Sequence, residues 1–138
     1  MGNSQSSCGI NYEDVQTAIN SPGFIIINTL PSGDQKCLIK KTIQVNQEEI
    51  ILNKKIQSSS VVEKIIVYGK NCNDPTIYEK YNQCQSLGFE VFIYTGGIFE
   101  WLLLQDIYGD EEFPTTGNEL DLLKYKSSSK INTLYISN

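Results

Sequence analysis

The groups able to do chemistry in this sequence are few, and several of them fall in one six-residue stretch, Gly69-Lys70-Asn71-Cys72-Asn73-Asp74. Cys72 is the candidate nucleophile. It lies close to Lys70 and to the expected start of a helix, two features that favour a thiolate, while Asp74 opposes the same charge. Nothing else can substitute easily, because the chain contains no His and all eleven of its basic residues are Lys. Lacking His, it is excluded from Ser-His-Asp and Cys-His mechanisms, His-based metal sites and imidazole pH switching. Lacking Arg, it loses bidentate phosphate recognition. Any reaction has to run on Cys, Lys, Tyr and carboxylates. The cysteines at 8, 37, 72 and 84 are irregularly spaced with no C-x-x-C pair, so no zinc site, other metal site or cofactor is expected. The acidic run from Asp106 to Glu112 does not match a calcium-binding EF-hand loop and reads as a solvated turn.

The elements that must position this loop are legible on both sides of it. Ile65–Tyr68 is a strand, Pro75–Leu87 a helix, and Val91–Tyr94 a second strand after a stop at Gly88. Together they form a right-handed βαβ unit. Its first loop, Gly69 to Asp74, then sits at a helix N-terminus, where open α/β sheets place ligands. Asp74 suits the N-cap and Pro75 the first helical position. Ile77, Tyr81, Cys84 and Leu87 mark the buried face, making Cys84 an inert core thiol. Upstream, Tyr12–Ile19 is an amphipathic helix, and Phe24 to Thr29 a strand buried on both faces. A turn follows at Pro31 to Asp34, then a short strand at Thr42 to Val45 and a helix capped by Asn46 and running to about Ile56. Downstream, a helix from Ile98 to about Leu104 carries Trp101 as a core anchor, and a last helix is expected near Asn118 to Lys124. Ser127–Ser129 reads as a linker, and Ile131–Ser137 fits an added strand or a loose tail equally. The expected fold class is α/β with three layers, a central parallel sheet flanked by helices.

With 138 residues, one domain is expected over 10–125, with tails at 1–9 and 126–138. The net charge of −5 argues against nucleic acid as partner. No apolar run approaches the ~20 residues that span a bilayer, and no secretory signal is expected. The thiols are read as reduced and the compartment as cytosolic. Met1-Gly2-Asn3-Ser4-Gln5-Ser6 matches the pattern for myristoylation of Gly2, with Cys8 as a second acylation site that would hold the protein on the cytosolic face of a membrane. A polar tail that fits the pattern by chance is the competing reading.

The stretch Leu87-Gly88-Phe89, a strand, Gly96-Gly97-Ile98 and then Trp101 resembles the close of the rhodanese-like domain, and the similarity extends over roughly Ile10 to Gln105. Ile39 to Ile43 stands where that family has a His-Ile-x-Gly-Ala-Ile turn, with only the isoleucines kept. The resemblance implies a parallel sheet sandwiched by helices and a loop whose N–H groups cradle a persulfide or anionic substrate. It also implies a nucleophilic cysteine directly after the central strand and an arginine near the loop's end. This sequence has Gly69 at the nucleophile position and about Asp74 at the arginine's, while the family's early Asp and Arg become Asn28 and Leu30. The reading that follows is a non-catalytic rhodanese-like module that binds a protein partner. The alternative is a sulfurtransferase or persulfide carrier using Cys72, with Lys70 and the loop amides of Gly69, Asn71, Asn73 and Asp74 holding the anion. A small-anion sensor without chemistry is the third class.

Overall fold

A computed structural model of the chain describes residues 8–58 and 63–131. Four strands, β1 (Gly9–Ile10), β2 (Phe24–Asn28), β3 (Lys64–Tyr68) and β4 (Glu90–Tyr94), form one parallel sheet in the order β1-β4-β3-β2. The helices are α1 (Tyr12–Ile19), α2 (Val45–Ser58), α3 (Thr76–Ser86) and α4 (Gly97–Tyr108). The near-continuous apolar runs of the strands are explained by burial on both faces. Ile25, Ile27, Ile65, Val67, Val91 and Ile93 point to one side and pack with Leu52 of α2 and with Ile77 and Cys84 of α3. Ile26, Ile66, Tyr68 and Tyr94 point to the other and pack with Val15 and Ala18 of α1 and with Ile98, Trp101 and Leu102 of α4. The period of two along each strand thus divides the apolar residues into two cores, giving three layers. Trp101 is fully buried, its ring 5.0 Å from that of Phe113 and its Nε1–H donating to the Pro114 carbonyl.

Helix α1 begins at a capping box in which Asn11 and Asp14 bond each other's backbone amides. Its far end is held by Lys41, whose Nζ donates to the Ala18 and Ser21 carbonyls. That placement suits the negative end of a helix dipole.

Several expected boundaries shift. The strand expected at Thr42 to Val45 shrinks to a single bridge between Thr42 and Ile26, because α2 starts at Val45 and takes Asn46 into its first turn instead of using it as a cap. Helix α4 runs on to Tyr108, so Asp106 to Tyr108 are helical and the turn begins at Gly109, whose φ of 98° ends the helix. The helix expected at Asn118 to Lys124 is one 3-10 turn, Leu122–Tyr125, anchored by the buried Tyr125. Leu87 is 43% exposed, since the chain turns at Gly88 (φ 98°) and Phe89 packs against the core instead. The N-terminal tail ends earlier than residue 9: Gly9 pairs with Ile93 in the sheet, and Cys8 is buried against the α3 side of the core.

Candidate functional site

The loop after β3 is held from two directions. Tyr68, the last residue of the strand, is buried; its hydroxyl accepts from the Ile39 N–H and shares a hydrogen bond with Thr42. Burial pushes its phenol well up, so it stays neutral. The next two carbonyls face the N-terminus of α4, where the Ile98 N–H donates to Gly69 O and the Phe99 N–H to Lys70 O, both at 2.9 Å. Two otherwise orphaned helix donors are satisfied this way. The approach is close enough that position 97 has to be glycine. A Cβ there would lie 2.7 Å from Gly69 O and 2.8 Å from Asn71 N, and its φ of 68° is left-handed. The Gly96-Gly97-Ile98 motif therefore acts by letting helix and loop touch.

Three of the loop's amides, those of Lys70, Asn73 and Asp74, find acceptors within the loop. Asp74 Oδ2 accepts from the Lys70 N–H at 3.0 Å, and Asp74 Oδ1 accepts from the Thr76 N–H at 3.0 Å and the Thr76 hydroxyl at 2.6 Å. Asn71 Oδ1 accepts from the Asn73 N–H, and Asn71 O from the Asp74 N–H. An anion offered to the Lys70 and Thr76 amides meets one already there, covalently attached. Burial alone would raise the Asp74 carboxyl. The hydrogen bonds from the Lys70 amide and from Thr76, with the Lys70 charge, outweigh it and hold the group below its ordinary value.

Position 69 has no room for a side chain. A Cβ on Gly69 would lie 2.5 Å from Asp74 Oδ2, 2.8 Å from the Thr29 hydroxyl and 2.9 Å from Ile77 Cγ1. The same carboxylate that occupies the amides also fills the space directly after the central strand. These two facts are one arrangement.

Of the expected site residues, Lys70, Asn71, Asn73 and Asp74 line a common cavity of about 370 Å³, with Gly69 buried beneath them. Cys72 is exposed and lies outside that lining. Cys8, expected as an acylation site, is 8% exposed within the core and would have to leave it to be modified; Gly2 lies outside the described residues. Cys84 is fully buried, and burial raises its thiol, consistent with an inert core role.

Sequence reasoning missed the far wall of the cavity, made by Lys126, Ser127, Ser128 and Lys130, residues read as linker and tail. Asn71 holds it in place. Its Nδ2 donates to the Tyr125 carbonyl at 2.7 Å, its Oδ1 accepts from the Ser127 hydroxyl, and Asn73 Nδ2 donates to Ser127 Oγ. Also missed was Gln35, whose side-chain amide bonds reciprocally with that of the buried Asn28. A neutral amide pair thus stands where the family resemblance implied an ion pair through Asn28 and Leu30. No local pattern links residues 28 and 35, or 71 and 125.

No family model matches the chain, and no curated protein sequence does. Solved structures do. The BH2092 protein from Bacillus halodurans matches with a TM-score of 0.63 at 20% identity, over 94% of this chain and 90% of that one. Ygr203w from Saccharomyces cerevisiae, described as a homolog of single-domain rhodanese and of the Cdc25 phosphatase catalytic domain, matches with a TM-score of 0.57 at 15% identity, over 88% and 93%. The Alr3790 protein from Anabaena matches with a TM-score of 0.53 at 20% identity, over 93% and 90%. The chain has the rhodanese-like fold.

Proposed function

We propose that this protein is a non-catalytic rhodanese-like module whose role is to bind a protein partner. The observation that carries this reading is the Asp74 carboxylate, which occupies both the space beside Gly69 and the backbone amides of Lys70 and Thr76. Rhodanese chemistry on this scaffold needs a sulfur nucleophile there and a positively polarised cradle around its product. Here a fixed negative charge stands in that cradle, where it takes the Lys70 amide and opposes the build-up of a second negative charge on a persulfide beside it.

The second reading is a persulfide carrier using Cys72, favoured by the exposure of that thiol beside Lys70 in the sequence. A thiosulfate:cyanide sulfurtransferase assay separates the two, with Cys72→Ser as control. The binding-module reading predicts turnover no higher than that of the control. Cysteine-dependent turnover would establish the carrier instead. Tethering through a myristoylated Gly2 belongs to the same proposal. With Cys8 buried, a single acyl chain would give only marginal, reversible membrane attachment. Co-expression with an N-myristoyltransferase followed by intact-mass measurement tests it, and an unmodified Gly2 removes the membrane claim.

A further inference from the structure

Charge is distributed unevenly around the loop. The chain as a whole carries −5, yet the cavity beside the Gly69–Asp74 loop is lined by three lysines, Lys70, Lys126 and Lys130. Of the other lysines, Lys55, Lys80 and Lys124 are in ion pairs with Glu63, Glu48, and Asp34 with Glu119, whereas Lys36, Lys40, Lys41, Lys54 and Lys64 are in none among the described residues and do not gather in one cavity. None of the cavity's three lysines has such a partner among the described residues. Among the described residues the one carboxylate in the lining is Asp74, and both of its oxygens are already taken by the Lys70 amide and by Thr76. The cavity therefore has an excess of about two positive charges, with the hydroxyls of Ser127 and Ser128 and the Asn73 amide as further polar groups.

We infer that this cavity is a docking site for an acidic segment of a partner protein, which would present two negative charges together, as paired Asp/Glu side chains or as one phosphorylated side chain. The inference deepens the binding-module reading and rests on it. A phosphate monoester carries close to two charges at neutral pH, as does a carboxylate pair, and either matches the excess. In a chain without Arg, lysine is the only residue that can supply this recognition, as mobile point charges on flexible stems. Such stems do not enclose a free ion. The Lys70, Asn73 and Asp74 amides already have acceptors in Asp74 and Asn71, so the ligand's charges would arrive on a segment that makes its own contacts along the rim. Asn71 and Asn73 bind Tyr125 and Ser127, the neighbours of Lys126, which holds that stretch of chain at the cavity without any ligand.

The test is fluorescence anisotropy on the full chain with three labelled peptides of one scaffold sequence: Glu-Glu at the centre, phosphoserine at the centre, and a Gln-Gln neutral control. The two anionic peptides should bind, the neutral one should not, and added NaCl should weaken binding. The Lys126→Gln/Lys130→Gln variant should lose about tenfold in affinity, the scale of two exposed charge pairs. Lys40→Gln/Lys54→Gln, which removes the same charge from exposed lysines outside the cavity, should leave affinity unchanged. Equal binding of all three peptides, or equal loss in both double variants, would overturn the inference. So would displacement of the peptides by inorganic phosphate at micromolar concentration, which would make a free anion the ligand. No readout here depends on turnover. Sulfurtransferase activity with intact peptide binding would therefore overturn the non-catalytic reading alone, and inactivity with no peptide binding the docking site alone.

Discussion

Gly69 and Asp74 divide between them the space at the end of β3. The glycine leaves a gap at the end of β3 and the carboxylate closes it, so neither can be changed alone without consequence. A methyl group at position 69 would press on the Asp74 carboxylate, the Thr29 hydroxyl and Ile77 together, and only the first of these belongs to a side chain that could swing away. Gly69→Ala should therefore lower unfolding free energy by about 1–3 kcal/mol, the range for overpacking a filled site, as read by urea denaturation. An unchanged midpoint would mean that the gap is open. The acid limb of the stability profile reports on Asp74 separately. Its carboxyl is held below its ordinary value in the folded state, so its contribution is complete above the unfolded value of about 3.9 and is lost as pH falls through the folded one. Wild type should thus exceed Asp74→Asn in stability by a constant margin at neutral pH, and the margin should close below about pH 4. A margin that persisted in acid would show that the charge is not what the loop amides hold.

Between elements, the decisive contacts are a helix N-terminus on one side of the loop and a returning chain on the other. Removing the Asn71 side chain cuts the bonds to Tyr125 and Ser127 while leaving β3 and α4 untouched. Asn71→Ala should raise amide hydrogen exchange across residues 122–128 by about tenfold or more, with the β3 amides unchanged, since local openings of this kind are independent of global unfolding. Uniform acceleration throughout the chain would assign Asn71 to the core instead. This second wall is also where sequence reading stopped working. The βαβ unit around the loop was legible because strand and helix periods, Pro75 and Gly88 are local signals. The close approach of α4 to the loop was not, since Gly96-Gly97 read only as a turn into a helix and as part of the family resemblance. The capping of Tyr125 by Asn71 joins residues 54 positions apart and leaves no trace in either neighbourhood. Serines in a row read as linker because their composition is a linker's; one of them is a hydrogen-bond partner in a cavity. Leu87 misled for a related reason. Its spacing fits the helix face, but the turn at Gly88 passes its packing role to Phe89.

Across the whole molecule, the rhodanese-like fold stands with glycine at position 69, a carboxylate at position 74, and no imidazole or guanidinium in the chain. The two apolar cores include neither Gly69 nor Asp74. What the loop region keeps is a shaped surface with a sign of charge opposite to the protein's own. The central claim is that no cysteine in this chain carries sulfur, and the exposed Cys72 is the place to look. Intact-mass and peptide-level mass spectrometry after incubation with thiosulfate measures this directly. Cys72 should remain unmodified. A sulfur atom added to Cys72 in stoichiometric yield, and discharged by cyanide, would contradict it.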